Sequence, residues 1–372
     1  MAQVGTTEER GGTGGILAWL GRVVLAVIIP LIAFAVLYGG FIFLRDSTAP
    51  KWLIALVAII WGVGGVAALY WIFNGFVERL PDQWTTRLQP FVFVGPAIAI
   101  LFAYLLLPSV RTFWLSLLNR DGVDFVGLQN YIDLFSERLL QDAILNNILW
   151  IVFGSTFSVG FGLLIAVLAD RSGFERVSKS FIFLPMAISF VGASVIWNFI
   201  YEVRPAELPQ IGLLNAIVVG LGGTPKAWYA WVDIIPWNNL FLIVIVVWLQ
   251  AGFAMVLFSA ALKGIPEELL EAARVDGATE VQLFFRIMIP YIRGTIITVW
   301  TTIVIFTLKI FDVVWVMTGG QFGTHVIATQ FYRQAFTARN SGIGSAIAIV
   351  LLVAVIPVMI YNLRQFREQE AF

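Results

Sequence analysis

The chain has no cysteine and a single histidine, His325. The first absence excludes disulfides and thiolate metal sites; the second excludes multi-histidine metal centres. Charge is scarce. Asp, Glu, Lys and Arg make up 12% of the residues and cancel to zero net formal charge, where a soluble domain carries about 25% charged residues. No basic cluster exists to receive a nucleic acid. No G-x-x-x-x-G-K-[ST] run occurs either. The nearest fragment, Gly222-Gly223-Thr224-Pro225-Lys226, puts proline where a phosphate-cradling loop needs glycine, so this chain cannot hold ATP by that device.

What fills the chain instead is oil: 59% of residues are hydrophobic, which points to a membrane protein. A span needs about 20 apolar residues, and about eight stretches meet or approach that length. They run near Ile16–Leu44, Trp52–Phe76, Phe91–Val110, Ile144–Ala169, Phe181–Ile200, Leu240–Leu262, Tyr291–Phe311 and Gly344–Tyr361. The first is too long for the core of a cleaved signal peptide, and Glu8 and Glu9 precede it. Residues 1–15, with Gly11 to Gly15 nearly all glycine, read as a disordered leader. An even number of spans puts both termini on one side. Arg171, Arg176 and Lys179 crowd one short loop there and Arg364 and Arg367 the tail, so that side is expected to be cytoplasmic. Two long loops, Arg111–Gln141 and Tyr201–Asn239, then lie outside. The second interleaves Trp228, Tyr229, Trp231 and Trp237 with prolines, as expected of an interface belt or a contact surface for an external partner.

One short polar stretch interrupts the oil between the sixth and seventh spans. Gly264 and Pro266 end the span, and Glu267 and Glu268 fall in a first helical turn, where the helix dipole favours negative charge. A short helix is expected from Pro266 to Val275. Asp276 is placed to cap a second helix over Ala278–Ile289, with Gly277 as the turn between. Val281, Phe284, Phe285 and Met288 share helical spacing and are expected to pack against the bundle. On the first helix, Ala272 and Ala273 are small enough for another protein's groove to approach, and Glu271 beside them offers a charge-assisted pair. A helix this short is marginal without packing, which calls for a partner or a fold-back onto the bundle.

Glu271-Ala272-Ala273, then Asp276-Gly277-Ala278, then Phe285, Ile287 and Pro290 resemble the cytoplasmic EAA signature of permease subunits of ATP-binding-cassette importers. Ile265 to Leu269 precede it as in the carbohydrate branch. Phe125-Val126-Gly127-Leu128-Gln129-Asn130-Tyr131 upstream, and Phe311 to Val314, Thr318-Gly319-Gly320, Gly342 and Ala346 downstream, extend the likeness over residues 90–365. It is strongest to the maltose and α-glucoside subunit that carries extra N-terminal spans. The resemblance implies an all-α membrane protein with two additional helices (16–80), a permease core (81–372) and a coupling loop (263–290). It further implies a second permease subunit and two cytoplasmic ATPase subunits, which bind the ATP and magnesium. An extracytoplasmic sugar-binding protein and a bacterial inner-membrane location complete what it implies. Glu271, Ala272, Ala273, Asp276, Gly277 and Ala278 would dock on the ATPase, with Glu271 pairing a basic residue there. Unlike the enterobacterial maltose permease, Arg111–Gln141 is too short to hold a folded external domain.

Sugars bind aromatic faces, with polar groups fixing their hydroxyls. Val246, Leu249, Gln250 and Phe253 share one face of the span before the loop; Ile303, Phe306, Thr307 and Ile310 share one face of the span after it. Counted from the signature, the resemblance places these eight where the maltose-type subunit lines its sugar site. Phe306 matches an aromatic and Phe253 replaces another, whereas amides of the maltose site are replaced by Val246, Thr307 and Ile310. The implied pocket is less polar than one for maltose. Gln250 needs partners inside lipid, from a sugar or a neighbouring helix. Lys309 and Asp312, at i and i+3, are placed to neutralise each other. Asn146, Asn147, Trp197 and Asn198 are lesser candidates, and His325 has no acid or nucleophile set near it in sequence.

An oligosaccharide or α-glucoside is the expected cargo. A glycerol phosphate or a polyamine would need a paired charge in the pocket, and the two lining spans offer no free arginine. A membrane enzyme would need a converging acid, base or metal set. A secondary transporter would place carboxylates or broken helices at mid-membrane and would have no use for a docking loop.

Overall fold

The computed structural model describes residues 14–78, 82–170, 172–232 and 236–370. The expected leader, apart from Gly14 and Gly15, lies outside the described residues, as does Arg171. The described chain is helical, with no β-strand and one isolated bridge, Leu118 to Phe125. It divides into two units, residues 1–108 and 109–372.

In the first unit, α1 (Gly14–Asp46) pairs with α2 (Lys51–Val77). Gly40 permits this approach, since a Cβ there would lie 2.3 Å from Trp61 Cζ2. The Trp61 indole N–H donates to the Leu37 carbonyl at 3.4 Å. Small residues at crossings are how helices pack when lipid removes the hydrophobic drive between them. α3 (Gln83–Ser116) begins in this unit, and Phe93 meets Tyr70 edge-on at 4.9 Å. Trp71 is 78% exposed on a helix that is apolar all round, a surface suited to lipid.

The second unit is built around α9 (Trp237–Lys263), preceded by α4 (Gln129–Ser136), α5 (Arg138–Asp170), α6 (Glu175–Phe183), α7 (Phe190–Tyr201) and α8 (Leu213–Gly220). α10 (Glu267–Val275), α11 (Glu280–Tyr291), α12 (Arg293–Leu308), α13 (Asp312–Thr318), α14 (Ile327–Tyr332) and α15 (Ser341–Glu370) follow. α5 lies directly on α9, where a Cβ at Gly162 would come within 2.4 Å of Ala254 Cβ. The first half of α9 buries Leu242, Ile243, Val246 and Leu249 with Trp150, Val313 and Val314. Its second half buries Met255, Phe258 and Leu262 with Ile292, Val299 and Ile303.

Among the described residues, five helices are long and apolar enough to cross a bilayer, and two bent pairs bring the number to seven if each is one span. The remaining expected span falls on α1. The bends correct two expectations. Residues 181–200 are not one straight helix: the chain turns by 104° between Ala187 and Phe190. Pro185 opens a tight turn there, and the Ser189 hydroxyl caps α7 by accepting from the Gly192 N–H at 3.1 Å. Likewise, α11 and α12 meet at 69°, and α12 stops at Leu308 rather than running on to Phe311.

Candidate functional site: the polar loop and the helices it joins

Gly264 closes α9 and Pro266 enters α10, none of whose residues is buried and all of which are exposed except half-buried Leu270 and Ala273. Glu271 and Ala272 are exposed and Ala273 is half-buried. Glu271 has no hydrogen bond or ion pair among the described residues. Gly277 adopts φ +84°. Its N–H donates to the Arg274 carbonyl at 3.0 Å, and the Ala278 N–H donates to that of Ala273, also at 3.0 Å. This pair of bonds is a Schellman ending, which requires a left-handed residue that glycine supplies without penalty.

The expected cap is corrected here. Asp276 ends α10, and its N–H donates to the Ala272 carbonyl at 2.9 Å. Thr279 starts α11 instead. Its hydroxyl accepts from the Gln282 N–H at 3.3 Å, while the Gln282 side chain accepts from the Thr279 N–H at 2.9 Å, a reciprocal capping box. A Thr-x-x-Gln pattern was there to be read. The expected packing also changes: Val281 and Phe285 are 66% and 64% exposed, whereas Leu283 is buried. With Leu269 and Val275 also exposed, the hairpin presents an apolar and acidic surface outward.

α9 and α12 are in contact, which brings seven of the eight expected sugar-site residues onto neighbouring helices; Ile310 does not share their face, because α12 ends at Leu308 and Ile310 lies in the break before α13. Val246, Leu249, Gln250, Ile303, Thr307 and Ile310 are buried within the subunit. Val246, Leu249 and Ile310 join one apolar cluster and Ile303 and half-buried Phe253 the other. The Thr307 hydroxyl is spent on the Ile303 and Val304 carbonyls at 3.0 and 3.1 Å. Phe306 is 48% exposed. Gln250 makes no side-chain hydrogen bond among the described residues, so its amide is unspent.

Lys309 and Asp312 do not pair. Both are exposed, and no ion pair joins them among the described residues. The reason is that α12 ends at Leu308 and α13 begins at Asp312, so their i, i+3 spacing is not helical. Asn146 and Asn147 act as struts. Asn146 donates to the Gly323 and His325 carbonyls, both at 2.7 Å; Asn147 donates to that of Leu308 at 3.0 Å and accepts from the Ile327 N–H at 2.7 Å. Asn239 extends the chain by donating to Asn146 at 3.2 Å and accepting from the Trp150 indole at 3.2 Å. Trp197 packs on Tyr201 and Trp248 at 5.1 and 5.9 Å, and Asn198 beside it is half-buried. Asn130 of the F-V-G-L-Q-N-Y element donates to the Ser116 and Leu118 carbonyls at 2.8 and 2.6 Å. His325 is buried and accepts at Nε2 from Arg333 at 2.9 Å.

Apolar helices of spanning length, with two bent helix pairs and a short polar hairpin held out between two of the helices, define a membrane-embedded protein. Residues 158–368 match the family described as binding-protein-dependent transport system inner membrane component, and the chain belongs to that family. It is 52% identical over 279 residues to the osmoprotective compounds uptake permease protein GgtC of Synechocystis sp., covering 75% of this chain and 99% of that protein. It is 46% identical over 324 residues to the alpha-glucoside transport system permease protein AglF of Rhizobium meliloti, covering 83% and 96%. Its fold matches a chain in the crystal structure of a bacterial alginate ABC transporter in complex with an alginate pentasaccharide-bound periplasmic protein. That match has a TM-score of 0.66 and 21% identity and covers 76% of this chain and 96% of the other.

Proposed function

We propose that this chain is the permease subunit of an ATP-driven importer of an oligosaccharide or α-glucoside, forming half of the translocation pore. The observation that carries the reading is α10: a nine-residue helix held by a Schellman turn, with no buried residue, and with Glu271 exposed and unpaired among the described residues. Such a helix suits a groove on a motor subunit. Two ATPase subunits beneath the membrane would bind the ATP and magnesium, a second permease subunit would complete the pore, and an external binding protein would deliver the sugar. Both termini and the loop over residues 263–290 are then cytoplasmic, residues 16–80 are an addition, and residues 81–372 are the core. Within the site, Gln250 and Phe306 supply what a sugar needs, an unspent amide and an open aromatic face. The other six would shape the wall or open as the helices move.

Similarity to a permease for osmoprotective compounds favours, as a second reading, a small neutral osmoprotectant. The test is uptake into vesicles bearing the assembled complex, with labelled α-glucosides competed by an osmoprotective solute, a glycerol phosphate and a polyamine. ATP-dependent uptake displaced only by glucosides supports the first reading; displacement by charged cargo alone overturns both.

A further inference from the structure

We propose that Lys179 is a positioning residue that fastens the α5–α6 turn to the root of the loop, so that a push on α10 moves α5, α6 and α9 together. The inference rests on the docking role of that loop. The Lys179 ammonium donates to Asp170 at the end of α5, to Glu175 one turn back on α6 at 2.5 Å, and to Ser259 on α9. The Ser259 hydroxyl also donates to Asp170 at 2.8 Å, and Lys263, the last residue of α9, donates to Glu175. Two carboxylates and two ammonium groups therefore balance across three helix ends. The Lys179 and Asp170 side chains are only 18% and 16% exposed, so water screens them little and the bonds are directional.

The position of this cluster gives it a task. Lys263 leads directly into Gly264, Ile265 and Pro266, the joint on which α10 hangs. Behind α10 lies a cavity of about 410 Å³, bordered by Asp170, Lys263, Glu267, Leu270 and Arg274. Among the described residues of α10, only Leu270 packs on the apolar core. Force on α10 thus reaches the spans in part through its chain root at Lys263, and Lys179 is the one group that bonds both carboxylates and Ser259, joining the Ser259–Asp170 and Lys263–Glu175 links into a single cluster. Loss of the bonds would not separate the helices. At Gly252 a Cβ would lie 2.5 Å from the Ile182 carbonyl oxygen, so α6 and α9 stay packed without them. What would be lost is the fixed register that converts displacement into pore movement.

The test compares Lys179→Met with the parent in the complete reconstituted transporter, measuring assembly, ATP hydrolysis and solute moved per ATP. Assembly and hydrolysis should persist, while solute moved per ATP falls by about tenfold, the loss of a charged hydrogen-bond set. Lys179→Arg, which keeps the cation, should restore the ratio. An unchanged ratio in Lys179→Met, or a fall that arginine does not rescue, overturns the proposal. If Lys179→Met fails to assemble, Ser259→Ala takes its place; it should lower the same ratio, and no change there overturns the proposal equally. Failure of the underlying transport reading shows separately, because the parent complex would then move no solute on hydrolysing ATP.

Discussion

The backbone N–H of Ala278 reaches back to the carbonyl of Ala273 at 3.0 Å, over Gly277 at φ +84°. Together with the Gly277 N–H bond to the Arg274 carbonyl, it forms the turn between α11 and α10, the helix from which Glu271 projects. Gly277→Ala should strain the turn by about 1–2 kcal/mol. Because the loop is exposed, the protein should still fold, with transport lost and the melting temperature nearly unchanged. A full transport rate in Gly277→Ala would show that the turn geometry does not matter.

Glu271 stands exposed and unpaired among the described residues. A charged hydrogen bond to a motor subunit would be worth about 1.5–3 kcal/mol, and reversal of charge adds repulsion. Glu271→Lys should leave the subunit in the membrane but abolish uptake and co-purification with the ATPase. Recovery of the intact complex in normal yield would count against the docking role.

In the proposed sugar path, Gln250 and Phe306 would offer an amide and an aromatic face. Gln250→Ala and Phe306→Ala should each raise the half-saturation concentration for uptake by about tenfold, as expected for one polar or stacking contact, while ATPase binding persists. Normal uptake kinetics in both variants would remove this surface from the sugar path.

Burial and the neighbouring Arg333 guanidinium lower the pKa of His325 to about 4 from its ordinary 6.5. The imidazole is neutral in the fold, accepting from Arg333 at Nε2. The unfolded chain takes up the proton first, so this contribution to stability is whole above about pH 6.5 and is lost as pH falls toward 4. Melting temperatures of the solubilised protein should fall across that window. In His325→Gln the fall should be shallower, and identical pH slopes would refute the assignment.

Much of the site was legible because its signals are local. Gly264, Pro266 and Gly277 punctuate the backbone by their own conformational limits, and the helices they delimit appear within a residue or two of expectation. The second cap was misplaced because Asp276 and Thr279 are both good capping residues, and only the Schellman bonds decide between them. Lys309 and Asp312 illustrate the converse error, since a charge spacing means nothing once the helix beneath it has ended at Leu308.

Sequence alone determined that this chain lives in lipid, that it is helical, and that one polar hairpin projects from it. Each follows from hydrophobic runs and turn residues acting over a few positions. Tertiary structure alone decided that the chain turns by 104° before Phe190, that Asn146, Asn147 and Asn239 are struts, and that Lys179 ties Asp170 to Ser259 across 89 positions of chain. In a sequence that is apolar on nearly every face, periodicity does not say which side meets lipid and which meets a neighbour. Only the packing of helices against one another gives the few polar side chains their partners.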